Sequence, residues 1–213
     1  MLDAACGIGF DAEALHRRGF RVTATDASPA MVAQCRARLA AVGIAGPVTT
    51  CVWAGLPGPF GAEFDAVLCT GNSLAHAPSV DDRRAALTGF AEVLAPGGAL
   101  ILDTQDWEIL HSRGSHGDDD PLVVDRDGHR ATRRFDWQVP ERFGDPITLT
   151  LTVTVDGDPV VGHPVTFCPF TAEQLVAELE ACGFVDADVV QNPGDDRYAV
   201  IARRGTAPIT RPG

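Results

Sequence analysis

The chain has 213 residues, of which 45% are hydrophobic and 22% charged, so it suits one globular α/β domain with room for a subdomain. Its formal net charge is −12 and all 17 basic residues are arginine, an acidic balance that disfavours nucleic acids and anionic membranes as partners. No apolar run approaches membrane-spanning length and no signal peptide precedes Asp3, so we expect a cytoplasmic protein.

The six cysteines are scattered along the chain without a C-x-x-C pair, and several lie in apolar runs. Buried reduced thiols therefore fit this pattern better than zinc ligands or disulfides, and we expect no metal site.

The chain opens with a strand, a glycine turn and a helix. The apolar residues 1–4 predict the strand, Gly7 and Gly9 the turn, and residues 11–18 a helix that ends at Gly19. Glycines let the backbone turn tightly and let a ligand approach it closely. Because the helix directs its free N–H groups toward the turn, this segment predicts a ligand site.

The second strand, residues 20–26, ends in an acid. A carboxylate at Asp26 suits a ribose diol, because it accepts hydrogen bonds from two hydroxyls. Ser28 and Pro29 then predict the N-cap and first residue of a helix that extends to Ala41, and residues 48–53 form a third short strand.

The middle of the chain continues the alternation of strands and helices, with strands at 64–70 and 99–103 and a helix at 81–94. Such regularity predicts parallel strands with right-handed crossovers. Residues 111–121 are polar and predict a loop. Three alternating segments, 132–139, 147–155 and 160–167, predict an antiparallel sheet, with a hairpin at Asp156-Gly157 between the last two.

A helix from Thr171 to Gly183 and two closing strands, 184–190 and 198–203, complete the pattern. The fold class is therefore α/β, a Rossmann-like doubly wound, mostly parallel sheet whose last strand is antiparallel, with a small antiparallel insertion after strand five. We divide the chain into a cofactor-binding core, the insertion, the C-terminal part of the core and a disordered tail: 1–110, 111–170, 171–204 and 205–213.

Two ligand classes use such a glycine turn. The string Gly7-Ile-Gly9-Phe-Asp-Ala12 meets the dinucleotide fingerprint, although that match is weak evidence. A further acid, Asp3, precedes the first glycine by four residues. With it, LDAACGIG followed by TATDASPAM resembles motifs I and II of the class I S-adenosylmethionine-dependent methyltransferases. The acid Asp11 at the helix start agrees, because it disfavours a pyrophosphate and tolerates a sulfonium cation.

The segment LCTGNSLAHAP at 68–78 carries a narrower resemblance, to the glycine and sarcosine N-methyltransferases. It runs from residue 1 to about 110 and continues loosely through the insertion, which in that family covers the methyl-accepting site. The resemblance implies S-adenosylmethionine as cofactor and a small molecule as methyl acceptor, with cofactor contacts at Ala5, Asp26, Val52, Trp53 and Thr70.

The remaining candidate cofactor residues come from their place at the strand ends. Asp3 and Gly71 lie there, Gly7 and Gly9 pass under the methionine part, and Ala27 and Met31 wall the adenine. For Met31 the alternative is plain helix core. For Trp53, whose indole offers a flat surface to the adenine, the alternative is a core aromatic.

Two residues after strand four are the catalytic candidates. The resemblance places Asn72 near the substrate amine, and we expect its side-chain carbonyl to orient the acceptor. His76 has the chemistry of a general base near neutral pH, but a structural role on the loop is the preferred interpretation.

The sequence departs from this family at two places. Gln105 stands where the family has an arginine that holds the substrate carboxylate. A neutral amide cannot supply the two charge-assisted hydrogen bonds that a guanidinium donates to a carboxylate. Glycine as acceptor is therefore in doubt. Arg133 or Arg134 could substitute, but a solvated arginine pair is the preferred interpretation. The family's N-terminal helices are also missing before Met1, so we expect that a segment of the chain is lacking.

The sequence thus predicts a methyltransferase that acts on a small molecule, by preference at an amine nitrogen. One alternative is an NAD-dependent oxidoreductase. The chain has one tyrosine and no lysine, so it lacks the Tyr-x-x-x-Lys proton donor that would support this alternative. The other is a non-catalytic cofactor-binding module. The acceptor's identity and the oligomeric state stay open at this stage.

Overall fold

The computed structural model describes residues 1–60, 64–118 and 120–206. It contains five α-helices, α1 to α5 in chain order, at Phe10–Arg17, Pro29–Ala41, Val80–Val93, Trp107–Arg113 and Ala172–Ala181. Twelve strands, β1 to β12, lie at Leu2–Asp3, Thr23–Asp26, Val48–Thr50, Phe64–Cys69, Leu94–Gln105, His116–Gly117, Leu122–Arg126, His129–Gln138, Ile147–Val155, Asp158–Phe167, Phe184–Val190 and Arg197–Arg204. These counts refer to the described ranges.

The main sheet has seven strands in the order β11-β12-β5-β4-β1-β2-β3. Strands β3, β2, β1, β4 and β5 run parallel, and β12 runs antiparallel to both β5 and β11. The predicted Rossmann-like sheet with an antiparallel last strand is confirmed. Among the five parallel strands β1 is the middle one, so the glycine turn after it lies at the middle of their carboxyl edge.

The sequence dictates helix α2 at both its ends and on its buried face. The Ser28 hydroxyl accepts a hydrogen bond from the Met31 amide, and Pro29 occupies the first turn, as predicted. Val32, Cys35 and Leu39 are buried in a cluster with the apolar residues of α1, β2 and β3, whereas Met31 is 38% exposed. This packing fixes the helices beside the glycine turn.

Helices α3 and α5 are joined by a buried ion pair. The Arg83 guanidinium donates to both carboxylate oxygens of Glu178, over 2.7 and 2.8 Å. Each side chain is less than one-tenth exposed. The bidentate geometry satisfies both charges in a region that excludes water.

By its internal contacts the chain divides into two units, residues 1–105 with 172 onward, and residues 106–171. The second unit holds a five-stranded antiparallel sheet of β6 to β10, which confirms the predicted insertion. The predicted hairpin between β9 and β10 forms at Asp156 and Gly157, both with positive φ. Trp107, Trp137 and Phe167 form an aromatic cluster inside this unit.

Some element predictions need correction. Residues 107–113 form helix α4, whose last three residues were predicted as the start of the loop 111–121; the helix begins here because the Asp106 carboxylate caps the Glu108 and Ile109 amides. Strands β6 and β7 were not predicted, and β3 ends at Thr50 so that Trp53 lies on a 3-10 turn. The predicted disordered tail falls almost wholly on residues 207–213, outside the described residues. No described helix has the length and hydrophobicity needed to cross a membrane.

Candidate active site

Two adjoining cavities lie at the carboxyl ends of the central strands. The larger, of about 660 Å³, is lined by predicted residues from the first four strand ends: Ala5, Gly7, Asp26, Ala27, Met31, Val52, Trp53 and His76. The smaller, of about 410 Å³, is lined by Ala5, Gly7, Thr70 and Gly71 together with Asp11, Ser73 and Asp103. Since Ala5, Gly7 and Ser73 line both, the two cavities form one groove that crosses the glycine turn.

Gly7 forms the floor where the two cavities meet. Its φ is 50°, and a Cβ built on it would meet no protein atom within 4 Å. The Gly7 amide donates to Asp26 Oδ2 over 2.9 Å, and the Ser28 amide donates to Oδ1 of the same carboxylate over 2.8 Å. The turn is therefore held in place by the acid of β2, and the space above it stays open for a ligand.

Gly9 lies in different surroundings from Gly7. It lines neither cavity, and a Cβ on it would lie 2.7 Å from the Sγ of Cys35 on helix α2. Its φ of 87° is also strained for any other residue. Glycine is therefore required here where α1 starts against α2, and the predicted place of Gly9 under the cofactor stays a prediction.

The wall of the larger cavity is apolar and fixed. The Trp53 indole N–H donates to the Ala4 carbonyl over 2.8 Å, and its ring packs edge-on against Phe90 with centroids 5.9 Å apart. Trp53 is thus partly a core aromatic and partly cavity wall. Met31 faces the cavity instead of the helix core, and Val52 is 55% exposed beside it. The flat indole and the two aliphatic side chains suit a purine ring.

The smaller cavity carries acidic groups with defined partners. The Thr70 hydroxyl donates to Asp11 Oδ2 over 2.7 Å. The Gly71 amide donates to Asp103 Oδ1, and the Arg197 guanidinium donates to Asp103 Oδ2 over 3.1 Å. We did not select Asp103 from the sequence, although an acid near the end of β5 was a usable signal. Two carboxylates at this wall favour a cationic ligand.

Asn72 is held in a way that the sequence did not predict. Its Oδ1 accepts a hydrogen bond from the Gln105 backbone amide at 2.5 Å. Because a backbone amide only donates, the accepting atom of the Asn72 side chain is its oxygen. This bond ties the loop after β4 to the end of β5. Asn72 adopts a φ of 64° and lines neither cavity. The oxygen keeps a second lone pair, so its predicted role in orienting the acceptor stays a prediction, and the side-chain NH2 offers a donor beside it.

His76 and Gln105 stand in contrasting surroundings. His76 is exposed on the 3-10 turn Ser73–His76 and lines the larger cavity, away from the acids of the smaller one. Gln105 is buried, and its Nε2 donates to the Asp196 carbonyl over 2.7 Å. The side-chain amide of Gln105 therefore donates to a backbone carbonyl and does not replace a carboxylate-binding arginine.

Asp3 is buried and lines neither cavity, so the structure does not bring it together with the other predicted cofactor residues, and its contact with the cofactor stays a prediction. Burial, and after it the negative charges of Asp11 and Asp26, together raise the pKa of its carboxyl to about 7. The Ala5 amide opposes this shift only in part and lies outside hydrogen-bonding geometry with the Asp3 oxygens. The acid thus adds negative potential below the turn when it is ionised.

Comparison with known proteins agrees with this geometry. Residues 1–98 match the family model of a methyltransferase domain. A glycine/sarcosine/dimethylglycine N-methyltransferase of Actinopolyspora halophila is 36% identical over 115 residues, which are 54% of this chain and 20% of that protein. The glycine N-methyltransferase of Rattus norvegicus is 34% identical over 125 residues, 54% of this chain and 43% of that protein.

A solved structure is similar over a longer stretch. An amino pentose methyltransferase of Micromonospora echinaspora, with S-adenosylmethionine bound, superposes with a TM-score of 0.75 at 23% identity, covering 95% of this chain and 82% of that chain. The predicted resemblance to S-adenosylmethionine-dependent methyltransferases is confirmed by the family model and the curated relatives, and the superposition shows the shared fold. The chain spans less than half the length of the two curated relatives.

Proposed function

We propose that this methyltransferase-domain chain transfers a methyl group from S-adenosylmethionine to an amine nitrogen of a small molecule. The observation that carries the proposal is the continuous groove over Gly7, with the Asp26 carboxylate on one side and acids on the other. The curated relatives are named as N-methyltransferases, which supports nitrogen as the acceptor atom.

The residues present fit this cofactor. The open space above Gly7 admits a ligand that lies against the backbone, and the apolar wall of Trp53 and Met31 fits an adenine. Asp26 uses one lone pair of each oxygen on backbone amides, which leaves acceptor capacity for ribose hydroxyls. When bound, S-adenosylmethionine would supply a methyl group already activated by its sulfonium charge. The acid Asp11, which lines the smaller cavity with Gly7, suits the cationic end of such a molecule.

The chain's own residues then have to position the acceptor and receive its proton. Holding two reactants in line is worth several kcal/mol, up to about 7–11 in the best cases. The side-chain NH2 of Asn72 and the imidazole of His76 remain the proposed acceptor-side groups, with His76 as the candidate base.

Titration calorimetry with S-adenosylhomocysteine tests the cofactor assignment. We expect binding by the wild-type chain and a loss of about tenfold or more in affinity for Asp26→Ala, because ribose hydroxyls lose their acceptor and the Gly7 amide loses its partner. Glu180→Gln, an exposed change on α5, serves as the control. Equal affinities in both variants contradict the ribose role.

Two further measurements separate the alternatives. NAD in place of S-adenosylhomocysteine in a thermal-shift titration tests the oxidoreductase interpretation, and we expect no stabilisation by NAD. Transfer of labelled methyl from S-adenosylmethionine to a panel of small amines tests catalysis. Cofactor binding without transfer to any amine would favour the non-catalytic module.

A further inference from the structure

We infer that Asp103 is the residue that binds the acceptor's amine, that Arg197 positions it, and that the acceptor is an amine without a carboxylate of its own. This inference rests on the proposed function. It starts from the place of Asp103 in the smaller cavity, next to Gly71 and across from Asp11. Asp103 carries a half-exposed carboxylate on the strand beside Gly71.

The Asp103 carboxylate is fixed from both neighbouring strands. The Gly71 amide, which follows β4, donates to Oδ1, and Arg197 at the start of β12 donates to Oδ2. Because β12 runs antiparallel to β5, its first residue lies opposite Gln105 at the carboxyl edge of the sheet. One backbone group and one side chain therefore set the direction of this acid before any ligand binds.

A fixed carboxylate suits a nitrogen nucleophile for a chemical reason. It only accepts hydrogen bonds, so it binds the N–H groups of a neutral amine and leaves the nitrogen lone pair free for the methyl carbon. In the transfer the new N–C bond forms as the C–S bond breaks, and the sulfur keeps that electron pair. Positive charge develops on the nitrogen, and a carboxylate at this place stabilises it until the proton leaves to solvent or a base.

The charges at the cavity walls select against a carboxylate on the acceptor. Among the described residues that line the two cavities there is no arginine or lysine, and Asp11 and Asp103 are both acidic. Arg197 already donates to Asp103, and the side-chain amide of Gln105 donates to the Asp196 carbonyl. An amino acid such as glycine would bring a third carboxylate to this wall without a cation to receive it.

Matched pairs of amines test the inference in the presence of saturating S-adenosylhomocysteine. We would use 2-aminoethanol against glycine, and glucosamine against 2-amino-2-deoxygluconate, and measure binding by saturation-transfer NMR. We expect the carboxylate-free member of each pair to bind about tenfold more tightly. Asp103→Asn should weaken amine binding by about the same factor while the affinity for S-adenosylhomocysteine changes less than about twofold.

Arg197→Gln tests the positioning role through kinetics with labelled cofactor. We expect kcat for the amine to fall while its KM changes little, with partial rescue in Arg197→Lys. Arg203→Gln, at the far end of the same strand, is the matched control and should leave both constants unchanged.

Each result decides a different point. Loss of S-adenosylhomocysteine binding in the wild-type chain would remove the proposed function and this inference together. With that ligand bound, equal binding of the paired amines, a preference for the carboxylated member, or binding of neither would overturn the inference alone. An Asp103→Asn variant that binds amines as tightly as wild type would also overturn the inference. If this variant fails to fold, the comparison of paired amines on the wild-type chain still tests the inference.

Discussion

Replacing Asp3 with asparagine should stabilise the ligand-free protein at neutral and alkaline pH. The Asp3 side chain is 1% exposed, and burial together with the charges of Asp11 and Asp26 raises its pKa from 3.8 to about 7. Between these two values the folded state keeps a proton that the unfolded chain has released. Folding stability contributed by this group therefore falls as the pH rises from about 4 to about 7, and stays low above that.

The size of this effect follows from the shift in pKa. A difference of about three pKa units corresponds to roughly 4 kcal/mol of destabilisation at pH 8, and to well under 1 kcal/mol at pH 4. For a chain of this length such a gain would raise the Tm by about 8–16 °C. Asparagine keeps the shape of the side chain and carries no charge, so it avoids the cost of ionising a buried group.

Urea unfolding of wild type and Asp3→Asn across pH 4 to 8 measures the difference, with Glu180→Gln as an exposed control that should show no such trend. Two results would refute the reasoning: an Asp3→Asn variant no more stable than wild type at pH 8, or a stability difference that does not depend on pH. A confirmed gain would also mean that the acid is kept at a cost in stability, which is typical of functional sites.

Three other changes are expected to have defined effects. Glu178→Ala should lower the free energy of unfolding by about 3–5 kcal/mol in urea, because it removes the carboxylate that neutralises the buried Arg83, whereas Arg83→Met with Glu178→Leu should cost far less. Gly9→Ala should destabilise by about 1–3 kcal/mol by calorimetry, and Cys35→Ala should relieve part of that loss by removing the Sγ that the new methyl meets. Asn72→Ala should lower kcat for methyl transfer more than S-adenosylhomocysteine affinity, because the end of β5 loses its tie to the loop after β4; equal losses would argue otherwise.

The fold was predictable because its signals are local. Ser28 and Pro29 mark the start of α2, and Asp156-Gly157 marks the β9–β10 hairpin, since a cap or a turn needs only neighbouring residues. The missed elements carried similar signals. Asp106 is an N-cap, and Asp127-Gly128, both with positive φ, form the turn between β7 and β8. The residues that indicate helix α4 and the β7–β8 hairpin are therefore present in the sequence.

The site was predictable only in part, for a different reason. The glycine turn and Asp26 lie close together in sequence and meet directly, through the Gly7 amide. Gly9 looked equivalent to Gly7 in the motif, but its neighbour is Cys35, a side chain on another helix that the spacing of glycines does not reveal. Two glycines of one motif thus differ in their surroundings, since one faces open space and the other packs against a helix.

The Asp103–Arg197 pair shows where a sequence pattern stops being informative. The two residues are 94 positions apart, and they meet because β12 enters the sheet beside β5 in the opposite direction, which brings its first residue to the carboxyl edge. A parallel strand in that place would present its last residue there instead, and Arg197 would lie at the far edge. The charge next to the acceptor side of the groove is therefore set by strand direction, and substitutions at the start of β12 should change acceptor preference while the motifs of the first 98 residues stay intact.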